Sequence, residues 1–381
     1  MAVRLVLAAT LIVAGVNASC DEKQDRNLAH EMTVTLNGAN LEWPCLSTRN
    51  IYMQSGRYIS RNVIATRTQI YNDQVFVALP RYKSGVPFTL GTFSLASDSC
   101  LPTIKPYPCW PIQEEGNCHA LQSVVDLHLC GNNILWVLDV GIVNTLEQPV
   151  RRCPPKVVGI SVKTGKVVKV IDLSGLVTSA SRLQYLVVDH ASDGRAFVYI
   201  SDAATRAILV YDISACKGYR VVLPKAVTAG CARRDVLYIQ LIRKSCGNVL
   251  FFTYLSSSRL YSIKTSYLRK GQCSGAVVDV GAKPQGQKIV LLGTDNGANL
   301  FFRPKGESDI YVWNSNSCFK SDNWILAQKG GECRLATQVI PGYKKMMWTI
   351  ESNFHDYITN SVGCVGASVL MHPMTCDDTG H

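Results

Sequence analysis

Short runs of apolar residues, each ended by turn-forming residues, recur along most of the chain. The runs are rich in Val, Ile, Phe, Tyr and Trp, and Gly, Asn, Asp or Pro bounds each of them. Apolar positions at helical spacing are hard to find. Runs of this length and composition are typical of β-strands, so the pattern predicts a mostly β protein.

One arrangement of strands repeats six times. Each copy has a strand, a turn, a second and strongly apolar strand, and then a loop and a third strand. In the clearest copy, residues 121–129 (LQSVVDLHL) lead through the turn CGNN into residues 134–140 (ILWVLDV), and strands at 156–162 and 167–173 complete a four-stranded antiparallel meander. The second strands are 47 to 62 residues apart and centre on Phe76, Trp136, Val198, Phe251, Phe301 and Trp348.

This period is that of propeller blades, so the sequence predicts an all-β, six-bladed β-propeller with four-stranded antiparallel blades. The continuous apolar character of the second strands fits sheets that are covered on both faces. Asn, Asp and Gly at the turns suit tight hairpins. A pair of β-sandwiches is the alternative, but it would not explain a turn at the same place in all six units.

Closing the ring requires a strand that the last unit lacks. No fourth strand is evident after Pro373, whereas residues 31–36 (EMTVTL) alternate between apolar and polar and precede the first blade. Pairing the two would remove exposed sheet edges at the seam. We therefore predict that the N-terminal strand completes the final blade, that the propeller spans residues 31–373, and that residues 374–381 form a tail.

The first 18 residues have the features of a secretory signal peptide. Arg4 supplies a short positive region, residues 5–16 are apolar, and Val-Asn-Ala at 16–18 resembles a cleavage site. The apolar run is shorter than the roughly 20 residues of a membrane-spanning helix. We expect a secreted, extracellular protein without a membrane anchor, in which residues 19–30 lead into the propeller; a bacterial lipoprotein signal ending at Cys20 is the rival interpretation.

Fifteen cysteines are scattered through the chain, with no CxxC spacing among them. A chain of 381 residues buries a large core without cross-links, so size does not explain this number. The spread of the cysteines predicts disulfides, which persist outside the cell. Because the number is odd, at least one cysteine is expected to be a free thiol or to bond to another molecule.

The net charge of +11 makes acidic surfaces and extracellular polyanions plausible neighbours. Nucleic acid is not expected as a partner, because the basic residues occur at most in pairs and lack interleaved aromatic residues. We likewise expect no membrane partner. Extracellular matrix proteins are the macromolecular partners that a secreted, cysteine-rich chain suggests.

The common catalytic motifs are absent from the sequence, including GxSxG, HExxH, EF-hand, Walker and dinucleotide-binding patterns. The seven histidines are dispersed without metal-ligand spacing, and residues 189–194 (DHASDG) form a turn rather than a calcium loop. We therefore expect no metal and no cofactor, and the sequence identifies no catalytic residue.

The default ligand site of a propeller is its central channel, which the first strand of each blade lines. The candidate ligand-binding residues are the polar ones at or near the start of those strands: Asn62, Gln122, Ser123, Gln184, Asp235 and Thr337. One carboxylate is too few for calcium, whereas amides and hydroxyls suit a small polar or aromatic ligand. The alternative is that these residues merely solvate a wet channel.

Several segments resemble the insect Yellow and major royal jelly proteins. The segment VFVALPRYKSGVPF at 75–88 is similar to the family signature V-x-x-P-R-x-x-x-G-[IV]-P, and LWVLDVG at 135–141 resembles L-W-V-L-D-x-G. Further similar segments lie at 58–63 (YISRNV), 106–108 (PYP), 116–118 (GNC), 121–125 (LQSVV), 153–155 (CPP), 196–202 (AFVYISD) and 255–268 (LSSSRLYSIKTSYL).

The resemblance implies a secreted six-bladed propeller, in agreement with the strand pattern. It also implies that Cys118, Cys130 and Cys153 are disulfide cysteines, while Ser192 to Arg195 stand where the family has its fourth cysteine. Family members act in melanin formation, including dopachrome conversion, bind biogenic amines in the channel, or occur in cuticle, eggshell and royal jelly. In its many extra cysteines, the chain resembles the eggshell-associated branch of the family.

Two functions remain open from the sequence. One is a matrix-associated Yellow-type protein of cuticle or eggshell (chorion) that takes part in pigmentation, melanization or hardening and binds a small phenolic or aromatic amine ligand in the channel. The other is a melanin-pathway enzyme such as a dopachrome-converting isomerase, which rests on the resemblance alone.

Overall fold

The computed structural model describes residues 31–374 except 98, 232–234, 272–274, 285–286, 332 and 364–365. The predicted signal peptide, the lead at 19–30 and residues 375–381 of the predicted tail lie outside the described residues. Within the described part, no helix is long and apolar enough to cross a membrane.

Six four-stranded antiparallel sheets make up the molecule, as the sequence pattern predicts. The first strand, β1 (Val34–Leu36), stands apart from the strands that follow it. Blade 1 contains β2 (Arg67–Tyr71), β3 (Gln74–Ala78), β4 (Leu90–Ser94) and β5 (Lys105–Pro106). Blade 2 contains β6 (Val124–Leu129), β7 (Ile134–Asp139), β10 (Lys156–Ser161) and β11 (Val167–Asp172), with a small ribbon of β8 (Ile142–Val143) and β9 (Val150–Arg151).

The remaining blades repeat the same order. Blade 3 contains β12 (Leu183–His190), β13 (Ala196–Asp202), β14 (Ala207–Asp212) and β15 (Lys217–Val222). Blade 4 contains β16 (Leu237–Ile242), β17 (Val249–Tyr254), β18 (Arg259–Lys264) and β19 (Val278–Ala282). Blade 5 contains β20 (Ile289–Thr294), β21 (Asn299–Pro304), β22 (Ile310–Asn314) and β23 (Trp324–Gln328), and blade 6 contains β24 (Leu335–Pro341), β25 (Met347–Ser352) and β26 (Val369–Pro373).

Between β1 and β26, the described helical segments lie in the connections between strands. The α-helical ones are α1 (Leu46–Gln54), α2 (Thr265–Leu268) and α3 (Phe354–Thr359). Short 3-10 turns lie at Ser60–Asn62, Pro111–Gln113, Ser174–Leu176, Lys225–Thr228, Ser321–Asn323 and Tyr343–Lys345.

The predicted closing strand is confirmed. Strand β1 pairs antiparallel with β26, so that Val34 lies opposite Met371 and Leu36 lies opposite Val369. The first strands of successive blades lie side by side around a ring, and β24 lies next to β2. The N-terminal strand therefore completes the last blade and closes the circle.

Turns with a left-handed residue set the register of the first hairpin in every blade. A residue with positive φ stands between the first and second strands in each case: Asn72, Asn133, Gly194, Gly247, Asn296 and Lys344. Gly and Asn adopt this conformation at low cost, which explains the turn residues that the sequence repeats. The second strand of each blade is almost wholly buried, as β13 in blade 3 and β21 in blade 5 show.

The apolar core is divided into clusters that lie between neighbouring blades. One cluster joins blades 6 and 1 and contains Trp348, and another joins blades 1 and 2 around Phe76. Polar side chains on the inner strands add hydrogen bonds across the same interfaces. The N–H of Leu129 donates to Gln69 Oε1 (3.1 Å), and the N–H of Leu237 donates to Gln184 Oε1 (2.8 Å).

Disulfide bonding agrees only in part with the family resemblance. Cys118 and Cys153 form a disulfide, whereas Cys130 is a buried thiol in the turn between β6 and β7, and burial raises its pKa to about 12. Cys130 packs in the apolar cluster between blades 2 and 3 and thus acts as a small core residue. Eight further described cysteines are also free: Cys45, Cys100, Cys109, Cys216, Cys231, Cys246, Cys318 and Cys333.

We expect Gln338→Met to destabilise the closed ring. At the seam between blades 6 and 1, Gln338 Oε1 accepts the N–H of Thr68 (2.7 Å) and its Nε2 donates to the carbonyl of Thr68 (3.1 Å). Leaving these two buried groups unpaired should lower the free energy of unfolding by about 1–3 kcal/mol, measured by urea denaturation.

The matched control is Gln74→Met, because the Gln74 amide makes no hydrogen bond among the described residues. That variant should change the free energy of unfolding by less than about 0.5 kcal/mol. An equal effect of both substitutions would show that the seam does not depend on Gln338.

Candidate functional site

A cavity of about 570 Å³ occupies the end of the channel where the inner strands begin. Its walls come from the first residues of all six inner strands, from the end of β21, and from the loops that follow the second strands of blades 1, 2 and 6. Most of the wall is apolar, and the polar or charged side chains are Thr66, Arg67, Tyr82, Ser123, Thr145, Arg151, Ser181, Arg182, Gln184, Tyr185, Asp235, Tyr238, Arg303, Thr337 and Ser352.

A buried arginine and two stacked tyrosines form the floor of this cavity. The Arg67 guanidinium carbon lies 4.7 Å from the ring centroid of Tyr185, and the Tyr185 and Tyr238 rings stack with centroids 5.2 Å apart. Arg67 Nη1 also donates to the carbonyl of Thr337 (2.8 Å). Burial raises the pKa of both phenols, so Tyr185 and Tyr238 keep their protons at neutral pH.

A carboxylate lies beneath the floor and balances part of its charge. Asp126 Oδ1 is 3.7 Å from Arg67 Nε, and Asp126 Oδ2 accepts the N–H of Leu186 (2.7 Å). Burial raises the pKa of Asp126 to about 6, against the opposing pull of the Arg67 charge. The pair therefore joins blades 1, 2 and 3 below the cavity.

The cavity has an excess of positive charge. Four arginines line it: Arg67, Arg151, Arg182 and Arg303. Among the described lining residues, Asp235 supplies the single carboxylate, and its oxygens accept the N–H groups of Val236 (2.8 Å) and Ser256 (2.9 Å). Because four guanidinium charges line the cavity with this one carboxylate, a cationic ligand meets a net positive charge among these residues.

Helix α3 supplies the roof of the cavity through Phe354 and Ile358. The helix ends at Asn360, whose left-handed conformation (φ 60°) is one that Asn tolerates. Lys83 holds this end in place, because its Nζ donates to Asn360 Oδ1 (2.6 Å) and lies 4.0 Å from the ring centroid of Tyr357. The blade 1 segment that carries the family-like signature thus positions the roof.

Four of the six candidate residues line the cavity, namely Ser123, Gln184, Asp235 and Thr337. Their side chains also serve the fold. Ser123 Oγ accepts the N–H of Arg81 (3.1 Å), and Gln184 Oε1 accepts the inter-blade hydrogen bond described above. Their role in binding a ligand stays a prediction.

The other two candidates, Asn62 and Gln122, do not line the cavity, because the strands start later than the sequence suggests. Blade 1 begins its first strand at Arg67 rather than at 62, and blade 2 at Val124 rather than at 121. Asn62 lies in a 3-10 turn and donates to the carbonyl of Ser84 (2.9 Å). Gln122 organises the preceding loop by donating to the carbonyl of Asn117 (2.8 Å).

Arg67, Tyr185, Tyr238 and Arg303 define the cavity but were missed in the sequence. Three of them lie within the first three residues of an inner strand: Arg67 is the first residue of β2, Tyr238 the second of β16 and Tyr185 the third of β12. A sequence signal was available for the two arginines, since a charged residue is unusual in strands that are otherwise so apolar. The sequence analysis instead took the polar residues at the expected strand starts as the ligand-binding candidates.

No three described His, Cys, Asp or Glu side chains are grouped so that they could hold a metal ion. The geometry instead defines a propeller with a ligand-sized, mostly apolar cavity that is closed below by a cation–π stack.

Comparison with known proteins shows to which family of propellers the chain belongs. The profile of the major royal jelly protein family matches residues 122–374, and the chain belongs to that family.

Individual relatives are distant. Major royal jelly protein 8 of Apis mellifera is 24% identical over 348 residues, covering 84% of this chain and 80% of that protein. Dopaminechrome tautomerase of Drosophila melanogaster is 31% identical over 172 residues, covering 44% of this chain and 37% of that protein. A solved structure, virginiamycin B lyase from Staphylococcus aureus, overlaps with a TM-score of 0.45 at 12% identity, covering 77% of this chain and 81% of that one.

We expect Asp126 to titrate near pH 6 in the folded protein, and Arg67→Met to raise its pKa further, because burial remains while the opposing charge is lost. Since the folded pKa exceeds the ordinary value of 3.8, Asp126 lowers the free energy of unfolding as the pH rises through the window from 3.8 to about 6. Carboxyl ¹³C chemical shifts over a pH series measure the pKa.

Arg259→Met is the control, because Arg259 is half-exposed on β18, pairs with Asp279 and lines neither the cavity nor the space around Asp126. It should leave the titration of Asp126 unchanged. A pKa near the ordinary value in the unaltered protein, or a fall in Arg67→Met, would contradict the proposed balance of burial and charge.

Proposed function

We propose that this protein is a secreted Yellow-type protein that binds small phenolic compounds, or the quinones and aminochromes formed from them, in the channel cavity. Its proposed setting is an insect extracellular matrix such as cuticle or eggshell, where such compounds darken and harden the matrix. The observation that carries the binding proposal is the floor of Arg67, Tyr185 and Tyr238 below apolar walls.

The size and the wall chemistry support a ligand of this class. A volume of about 570 Å³ lies within the range of roughly 300–1,000 Å³ found for small-molecule sites. The faces of the Tyr185 ring are taken by Arg67 and Tyr238, so a planar ligand ring can pack edge-on against the two tyrosines. Their protonated phenols can donate hydrogen bonds to quinone or hydroxyl oxygens. Family membership and the signal-like N-terminal segment support the extracellular setting.

The charge of the cavity favours neutral or anionic ligands over amines. Four arginines face one carboxylate whose oxygens already accept two backbone N–H groups. An ammonium group brought into this cavity would lose water and meet net positive charge. Of the ligand classes that the sequence left open, the phenolic one is therefore supported and the amine one is not.

Calorimetric titration with N-acetyldopamine and dopamine tests this proposal, because the two catechols differ chiefly in the charge on nitrogen. We expect saturable binding of N-acetyldopamine and at least about tenfold weaker binding of dopamine, since only dopamine carries an ammonium group. In Val236→Phe, the larger side chain fills part of the cavity and should weaken the binding of N-acetyldopamine by about tenfold or more.

Val222→Phe is the matched control, because Val222 is 51% exposed on the outer strand of blade 3, away from the cavity. It should bind N-acetyldopamine as the unaltered protein does. Tighter binding of dopamine, or equal binding by Val236→Phe, would contradict the proposed site.

A second candidate function is aminochrome tautomerisation, which the similarity to dopaminechrome tautomerase favours. Such a reaction moves a proton from a ring carbon to a quinone oxygen and therefore needs a base and an acid. The phenols of Tyr185 and Tyr238 can serve as acids, and Asp235 is the carboxylate among the described lining residues.

If the protein has this activity, Tyr238→Phe should lower kcat by about a hundredfold while the KM changes little, because the phenol acts on the developing oxyanion. Absorbance decay of dopaminechrome measures the rate, and Tyr267→Phe, an exposed tyrosine on α2, is the control. Decay at the buffer rate with the unaltered protein would exclude this second function.

A further inference from the structure

A second, smaller cavity of about 140 Å³ lies at the opposite end of the channel, where the inner strands end. Arg67 and Tyr185 line both cavities and separate them. The lower cavity is mainly polar, unlike the upper one, and residues of all six inner strands reach it. It therefore offers a different chemistry from the proposed phenol site.

His128, near the end of β6, leaves a polar atom unpaired in this lower cavity. Its Nε2 is buried and has no hydrogen-bond partner among the described residues. Burial lowers the pKa of His128 to about 3, and the charge of Arg243 adds to the effect. A neutral imidazole that can donate an N–H is thus left without a partner, which is costly in a buried position.

The other groups that face His128 are mostly donors. Arg243 Nη1 donates to Asn296 Oδ1 (2.9 Å), which leaves the other guanidinium N–H groups available. Gln69 uses its Oε1 for the N–H of Leu129, so its NH₂ group is also available, and the amide of Gln240 makes no hydrogen bond within the described part of the chain.

Among the described residues that line the lower cavity, Asp126 is the single carboxylate, and it is already engaged; the nearby Asp189 is engaged too, by Tyr199 and Asn248. Asp126 faces Arg67 and accepts the N–H of Leu186, as described above. Two guanidinium groups, two amide NH₂ groups and one imidazole therefore surround a space in which acceptors are scarce. A negatively charged acceptor would satisfy these donors together.

We propose that the lower cavity binds a small inorganic anion, a halide or a small oxyanion, between Arg243, His128 and the amides of Gln69 and Gln240. The volume supports this size, because liquid water takes about 30 Å³ per molecule and the cavity thus holds one such anion with a few waters. The bound anion also stabilises the lower end of the ring by linking blades 1, 2 and 4.

Thermal unfolding at constant ionic strength tests the proposal, with sodium chloride, nitrate or phosphate replacing sodium gluconate. Anions that fit bind the folded state, so the Tm should rise saturably with at least one of the three and not with gluconate, which is larger. Arg243→Gln should weaken this binding by about tenfold or more, because a charged hydrogen bond is lost. A Tm that is the same in chloride, nitrate, phosphate and gluconate would show that the cavity holds only water and would overturn the proposal.

Two further measurements test whether the anion binds in the lower cavity. Arg195→Gln, which removes an exposed arginine paired with Asp193, should keep the anion effect in full. The imidazole resonances of His128 should report a higher pKa in the presence of the stabilising anion, because the anion offsets the charge of Arg243. A saturable rise in Tm that persists in Arg243→Gln and leaves His128 unchanged would place the anion elsewhere and overturn the proposal.

Discussion

The guanidinium group of Arg67 lies buried on the channel axis, and the arrangement around it depends on how that charge is satisfied. It donates to the carbonyl of Thr337 in blade 6, faces the carboxylate of Asp126 in blade 2 and lies over the ring of Tyr185 in blade 3. A buried charge is tolerated only with such partners. Four of the six blades therefore meet at one side chain, which divides the channel into an apolar cavity above and a polar one below.

The fold could be predicted because its signals are local and repeated. Positive-φ turns after each inner strand, apolar second strands and the alternation of residues 31–36 all follow from neighbouring residues, and the N-terminal strand does close the ring at Met371. The site could be predicted only in part. Asn62 and Gln122 were misplaced because strand starts depend on loop contacts, such as the carboxylate of Asp139 that accepts the N–H groups of Gln122 and Ser123 (both 2.9 Å).

Arginines in apolar strands can be noticed in the sequence, but the role of the residues that define the cavity could not be predicted in the same way, because it depends on which blades they join. Arg67 and Tyr185 are far apart in the chain, and only the closed ring brings the arginine over the tyrosine ring. Membership in the major royal jelly protein family agrees with the fold but does not select a ligand, since the relatives are 24–31% identical in the two comparisons described. In our account, the positive charge of the cavity walls selects neutral or anionic ligands over amines.

A crystal structure of the protein with bound N-acetyldopamine tests the central claim most directly. Our account predicts that the catechol ring packs edge-on against Tyr185 in the upper cavity, with ring centroids about 4.5–7 Å apart, and that its hydroxyl groups face Tyr238. A catechol bound on the outer surface of the blades, or an upper cavity that stays filled with water at saturating ligand, would contradict it.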